Sequence, residues 1–282
     1  GRLTAAEAIM VYTAGAFPGS SVGGGSRCIM TGYDIPNARI EGFDIVVNTP
    51  KTAAYRAPGS PAAALAFETA LDELAEKLAM DPIDLRRKNS AREGTRRVSG
   101  TLMPKVGFID VLEAAKNHPH YQTPLAGPYR GRGVASGYWG NGSGPSSAVA
   151  TLNIDGSVNL SEGSPDIGGT RASVAQQFAE VLGIPVENIK PQIADTDSIG
   201  YTSNSAGSGV TFKTGWACYE AACDMKRQLI ARAAELWEVD SEKVTYDKGA
   251  AHCAENNETL SFNELAAQQN STGGPIVASA GV

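Results

Sequence analysis

Apolar and polar positions change their period several times along the chain, and each change marks an element. Residues 40–48, IEGFDIVVN, bring β-branched and aromatic side chains together and predict a strand. After a small-residue elbow, PAAALAFETALDELAEKLAM sets Phe67, Leu71, Leu74 and Leu78 at helical spacing, with Pro61 suited to a first helical turn. DPIDLRRKN predicts a second, short helix with Asp81 as N-cap and Pro82 at its first position. Residues 94–108 are polar and irregular, and 109–117 form another short helix candidate. The Pro/Gly-rich NHPHYQTPLAGPYRGRG marks a boundary near residue 129, so the expected domains are 1–129 and 130–282.

In the second half, Ala148, Ala150, Leu152 and Ile154 alternate with polar neighbours, and Asp155-Gly156 signals a hairpin turn. A helix bearing Val174, Phe178, Val181 and Leu182 follows, closed by Gly183 and Pro185. VENIKPQIAD returns as a strand interrupted by Pro191, and residues 211–238 form a long helix with Ala222, Met225, Leu229, Ala233 and Leu236 inward. Strands and helices mix without strict β–α–β alternation, which predicts an α+β fold.

Composition narrows the picture. With 282 residues, 42% of them hydrophobic, the chain has material for one large or two medium cores. A net charge of −6 disfavours a nucleic-acid partner. Arg86, Arg87, Lys88, Arg92, Arg96 and Arg97 form a local basic stretch that reads as a solvated face or a subunit contact. No apolar run reaches the about 18 residues that span a bilayer. Cys28, Cys218, Cys223 and Cys253 include no CxxC pair and read as free thiols in a reducing, cytoplasmic setting.

Three loops share one character: each leads a strand-like run through small residues into a helix. They are AYRAPGSP (54–61), SPDIGGTRAS (164–173) and TSNSAGSGVTF (202–212). Loops entering helix N-termini offer unpaired N–H groups and partial positive charge, and such places bind anionic groups, phosphates above all. Each loop is also open to a purely structural reading as a turn. None fits a P-loop, and the glycine clusters lack the strand–GxGxxG–helix setting of a dinucleotide fold. His118, His120 and His252 have no metal-ligand spacing, and Asp195 with Asp197 in ADTDS supplies too few ligands for a cation.

At this point a family likeness becomes visible. VVNTPKTAAYRAPGSPAAALAFETALDELAEKLAMDPIDLRRKN resembles the signature stretch of the molybdenum-binding subunit of the xanthine dehydrogenase/aldehyde oxidase family. The likeness continues in order through GRGVASGYWG, NIDGSVNLSEGSPDIGGTRASVAQQFAEVLGIPVENI, ADTDS and GSGVTFKTGWACYEAA. It implies two molybdopterin-binding subdomains around a molybdenum atom held by a pterin dithiolene, often as the cytosine dinucleotide form, with no protein side chain on the metal. It implies that the Tyr55-Arg56-Ala57 backbone approaches the metal's oxo ligand. Ile167-Gly168-Gly169-Thr170 would line the pterin and phosphate side, and Ala206-Gly207-Ser208 would hydrogen-bond the cofactor from another direction. Arg56 would orient an acidic partner or the substrate, or instead cap its own loop.

Departures from the family pattern carry their own expectations. Many relatives have glutamine where Gly169 stands. Purine-oxidising relatives have an aromatic where Pro58 stands, so a flat purine substrate is disfavoured. The copper-containing carbon monoxide dehydrogenases place a cysteine at the position of Ala57. Two family elements are not assigned, an upstream glycine-rich loop and a glutamate base in a GxGE-like motif, so the chain is expected to be a piece or one of two polypeptides sharing a site, inactive alone. The implied activity is hydroxylation of an aldehyde or N-heterocycle, with [2Fe–2S] and FAD subunits as partners, because no cysteine pattern here suits a cluster. The competing expectation is a cofactor-free, partner-binding domain of the same fold.

Overall fold

The computed structural model describes residues 1–195 and 197–282. Thr196, the middle of ADTDS, lies outside them. The chain divides into two compact units, Gly1–Gly140 and Asn141–Val282, each with its own core.

The first unit begins with β1 (Ala5–Gly15), α1 (Val22–Cys28) and β2 (Asn37–Val46), and the two strands pair in parallel. One face of this ribbon packs Met10 against Ile29, Met30, Tyr33 and Leu71. The elbow then leads into α2 (Ser60–Lys77), followed by α3 (Pro82–Lys88), α4 (Phe108–Asn117) and a short α5 (Pro119–Gln122). The expected caps are present: the Asp81 carboxylate accepts from the amides of Ile83 and Asp84 at 2.9 and 3.0 Å, and Pro61 stands in the first turn of α2.

Two expectations need correcting in this unit. The inward stripe of α2 is Ala63, Phe67, Glu68, Leu71 and Ala75, whereas Leu78 is exposed because it lies at the C-cap, past the last helical turn. Arg86 is not part of a solvated basic face. It is fully buried, its guanidinium paired with Glu68 at 2.7 Å and Asp72 at 2.8 Å. A polar residue on the inner face of one helix has found its counter-charge on the next, which a helical wheel of either alone does not reveal.

α1 was not anticipated, because its run of glycines costs about 1 kcal/mol each relative to alanine in a helix. Their use is close approach. A Cβ at Gly24 would lie 2.0 Å from the Pro58 carbonyl oxygen, and one at Gly59 would lie 2.2 Å from that of Ser21. The glycine helix and the elbow are therefore in backbone contact, and Tyr12 ties them to β1 by donating to the Gly59 carbonyl at 3.0 Å. The segment 131–140 stays with this unit, since Ser136 donates to Glu68 and the Tyr138 carbonyl accepts from Ser60.

The second unit is built on a four-stranded sheet in the order β5-β4-β3-β9: β3 (Ser147–Leu152), β4 (Val158–Glu162), β5 (Ile189–Ile193) and β9 (Val277–Gly281). β3 and β4 form the expected hairpin, with the Asp155 carboxylate accepting from the Ser157 amide at 2.9 Å and Gly156 left-handed. Ile154 falls in the turn and is exposed, so the strand alternation ends at Leu152. β4 runs through α6 (Thr170–Leu182) to β5 in parallel, and Pro191 is accommodated because β5 is an edge strand.

The long α7 (Val210–Leu236) buries Ala222, Met225, Leu229 and Ala233 as the pattern foretold, against Phe178 and the sheet residues Ala148, Ala150 and Leu160. A meander of β6 (Val244–Asp247), β7 (Ala250–Cys253) and β8 (Glu258–Ser261), then α8 (Phe262–Ala267), closes the unit before β9. The four cysteines are free thiols. Among the described residues, no helix is long and apolar enough to cross a membrane. Mixed sheets with packed helices make this an α+β fold.

Candidate functional site

Each of the three loops turns into its helix through the left-handed backbone region. Ala57 has φ 52° and Gly59 φ 82° in the first loop; Gly168 and Gly169 have φ 102° and 101° in the second; Gly207 and Ser208 have φ 64° and 60° in the third. For Ala57 and Ser208 this conformation is unfavourable, and non-glycine residues held there concentrate at binding and catalytic sites. The elbow places Tyr55 and Arg56 on the surface of the first unit, and Tyr55 is 81% exposed. Ala57 accepts a hydrogen bond from the Ser60 amide at 2.9 Å, and Gly59 caps α2. Pro58 is half-buried beneath the elbow. Arg56 makes no ion pair with another described residue.

The second loop forms a three-donor cradle. The amides of Gly168, Gly169 and Thr170 converge on one carboxylate oxygen, Asp166 Oδ1, at 3.1, 2.8 and 3.0 Å. Arg171 binds the other oxygen of Asp166 at 2.8 Å. That guanidinium, and after it the loop amides, hold the Asp166 carboxyl down at about 2. The cradle is thus suited to an oxyanion, and an internal carboxylate fills it. Above it the backbone is bare: a Cβ added at Gly168 or Gly169 would meet nothing within 4 Å. Ile167 stands beside them, 61% exposed.

The third loop, with Ala206, Gly207 and Ser208 at its tip, is fixed from below by a residue the sequence did not single out. Lys213, in the first turn of α7, is buried, and its ammonium donates to the Ser203 carbonyl at 3.0 Å, the Ser203 hydroxyl at 2.7 Å and the Asn204 carbonyl at 2.5 Å. Burial pulls the Lys213 pKa down. Gly142 braces the tip, its amide donating to the Gly207 carbonyl at 2.6 Å.

Loops two and three, both in the second unit, are also joined underneath. Ser164 and Thr214 hydroxyls lie 2.7 Å apart, Ser146 donates to Thr214 at 3.1 Å, and Ser146 lies 3.3 Å from Thr202. Glu162, at the foot of the second loop, accepts from the Ser164 amide at 2.5 Å and is fully buried. Neither Lys213 nor Glu162 could be flagged by periodicity, since each is a charged residue whose burial depends on loops distant in sequence. Among the described residues, no group of three His, Cys, Asp or Glu side chains gathers in a way that would hold a metal ion. Loops that end at positive helix N-termini, one of them open at Gly168 and Gly169, suit an anionic ligand that brings its own metal ligands.

Comparison with known proteins agrees with this chemistry. Two models described as molybdopterin cofactor-binding domains match residues 1–90 and 109–281. The nicotine 6-hydroxylase large subunit of Paenarthrobacter nicotinovorans is 30% identical over 244 residues, which are 78% of this chain and 30% of that protein. The aldehyde oxidoreductase of Megalodesulfovibrio gigas is 32% identical over 215 residues, covering 71% of this chain and 23% of its own length. The chain therefore spans less than a third of these relatives. Carbon monoxide dehydrogenase from Oligotropha carboxidovorans shares the fold, with a TM-score of 0.75 at 22% identity over 99% of this chain and 40% of that structure. Read with the loop geometry, these matches show that the chain belongs to the molybdopterin cofactor-binding domain family of the xanthine dehydrogenase and aldehyde oxidase type.

Proposed function

We propose that this chain supplies the cofactor-gripping part of a molybdenum hydroxylase that oxidises an aldehyde or an N-heterocyclic carbon with oxygen from water. When bound, the molybdenum–molybdopterin cofactor, in its cytosine dinucleotide form, would supply the two-electron oxidation. The chain's own residues hold and orient it. The family likeness assigns the metal side to the exposed elbow at Tyr55, Arg56 and Ala57, the pterin and phosphate side to Ile167 to Thr170, and a further edge to Ala206 to Ser208. Arg56, unpaired and exposed, is placed to orient an acidic group, and Pro58 leaves a substrate channel without an aromatic platform. Because the chain spans less than a third of its relatives, the base and a further glycine loop would come from the remainder of such a subunit. A [2Fe–2S] subunit and an FAD subunit carry the electrons away, in the cytoplasm.

The observation that carries this proposal is the cradle of three amides at Gly168, Gly169 and Thr170, which grips one anionic oxygen beneath open, side-chain-free backbone. The same cradle favours the second reading, a cofactor-free partner-binding domain, because Asp166 already occupies its donors. Metal analysis separates the two. Protein produced together with its natural neighbours and purified as the complex should contain molybdenum and release a pterin on denaturation, and should reduce a dye with an aldehyde or an N-heterocycle. A complex with neither metal nor pterin would establish the second reading.

A further inference from the structure

The first unit holds a cavity of about 450 Å³ whose wall starts where the elbow ends, at Ser60. Its lining is mostly apolar, from the end of α1 (Cys28), α2 (Ala64), Met103 and α4 (Phe108, Leu112, Ala115). One part of the wall is polar and tightly organised. The Tyr33 hydroxyl lies 2.6 Å from Glu68 Oε1 and 2.7 Å from Ser136 Oγ, and Ser136 Oγ lies 2.9 Å from the same carboxylate oxygen. The other oxygen of Glu68 accepts from the Ser136 amide at 2.9 Å and from Arg86 Nε at 2.7 Å.

The donor count at this cluster selects the ligand. Tyrosine and serine hydroxyls carry one hydrogen each. Both hydrogens are consumed within the cluster, toward Glu68 or toward one another, which leaves only hydroxyl lone pairs to a guest. Glu68 is already matched by Arg86, so at this cluster a buried cation would find no unpaired negative charge and an anion no free hydroxyl donor. An apolar cavity with a few convergent polar groups, inside the range of about 300–1,000 Å³ common for small-molecule sites, is the usual form of such a site.

We infer that this cavity binds a neutral, largely apolar ring compound carrying one N–H or O–H donor, which docks against the hydroxyl pair of Tyr33 and Ser136. The inference does not rest on the function proposed above, and its test needs no molybdenum cofactor.

The test is a fluorescence titration of the chain with N-phenyl-1-naphthylamine, a neutral probe with one N–H. Saturable binding to a single site is expected. Ala64→Trp and Ala115→Trp, which fill the cavity from opposite helices, should each weaken it at least tenfold, and so should methylation of the probe's nitrogen. Absence of saturable binding, or unchanged affinity in either folded variant, overturns the site; equal affinity for the methylated probe overturns the donor requirement. A second measurement uses the unaltered chain. Saturating probe should slow alkylation of Cys28 by iodoacetamide at least threefold and leave Cys223 unchanged, and an unchanged Cys28 rate contradicts the assignment.

Discussion

Two buried glutamates stand behind two of the loops, and their surroundings treat them in opposite ways. Glu68, on α2 about two turns past the elbow, gives all its lone pairs to partners: Arg86, Tyr33 and Ser136. Glu162, the last residue of β4 before the glycine loop, accepts only from the Ser164 amide, and its Oε1 has no hydrogen-bond partner among the described residues. Burial therefore pushes the Glu162 carboxyl above the ordinary range; the Ser164 amide opposes this, and the negative charge of Asp166 adds to it. Glu68 is one half of a charge pair that the fold needs intact, whereas Glu162 is an acid whose ionisation burial opposes.

The largest effect should come from breaking the paired glutamate. Arg86→Met leaves the Glu68 charge buried without its partner and should cost about 3–5 kcal/mol, measured as a lower urea midpoint for the first unit. If stability were unchanged, Glu68 would not depend on Arg86, and the contrast with Glu162 would fail.

Glu162→Gln should act in the other direction. Because its folded-state pKa is raised, Glu162 contributes stability that is full at low pH and is lost as pH rises through the raised value. Each unit of elevation is worth about 1.4 kcal/mol. The wild-type chain should thus lose stability relative to the Gln variant as pH rises above the ordinary carboxylate range, and thermal unfolding at a series of pH values is the check. Parallel curves would mean that the carboxyl is ionised and partnered in the folded state.

A smaller and more local effect is expected at the cradle itself. Asp166 has its pKa held down at about 2, so its contribution is present above the ordinary carboxylate range and is lost as pH falls toward about 2. Asp166→Asn should flatten that acid limb. It should also speed hydrogen exchange at the Gly168, Gly169 and Thr170 amides, read by mass spectrometry, while exchange in α7 stays as it was. Unchanged exchange at those three amides would show that the loop keeps its shape without the carboxylate.

How far the sequence foretold this arrangement depends on the range of the interaction. The caps and stripes of α3, α6 and α7, and the Asp155-Gly156 hairpin, were legible because each is decided within about one or two turns of chain. The three loops were legible too, since small residues before a helical run are a local signal. The parallel pairing of β1 with β2 was not, because no element was assigned before residue 40 and the pairing bridges a glycine helix that propensity argues against. The polar anchors were the least visible. Glu68 finds Arg86 on the next helix, Lys213 folds back onto Ser203 and Asn204, and Glu162 is sealed by Ser164 and its surroundings. In each case a residue type that ordinarily marks a surface is buried by contacts that only the fold creates.

The central claim is that bare, left-handed backbone at the loops grips an anionic pterin. The most direct test compares molybdenum and released pterin in the wild-type complex with those in a Gly168→Val/Gly169→Val variant, which puts side chains into the open space above the cradle. Near-stoichiometric metal and pterin in the wild type, with loss of both in a variant whose circular dichroism is unchanged, is the predicted result. Equal cofactor content in the two proteins would contradict the account.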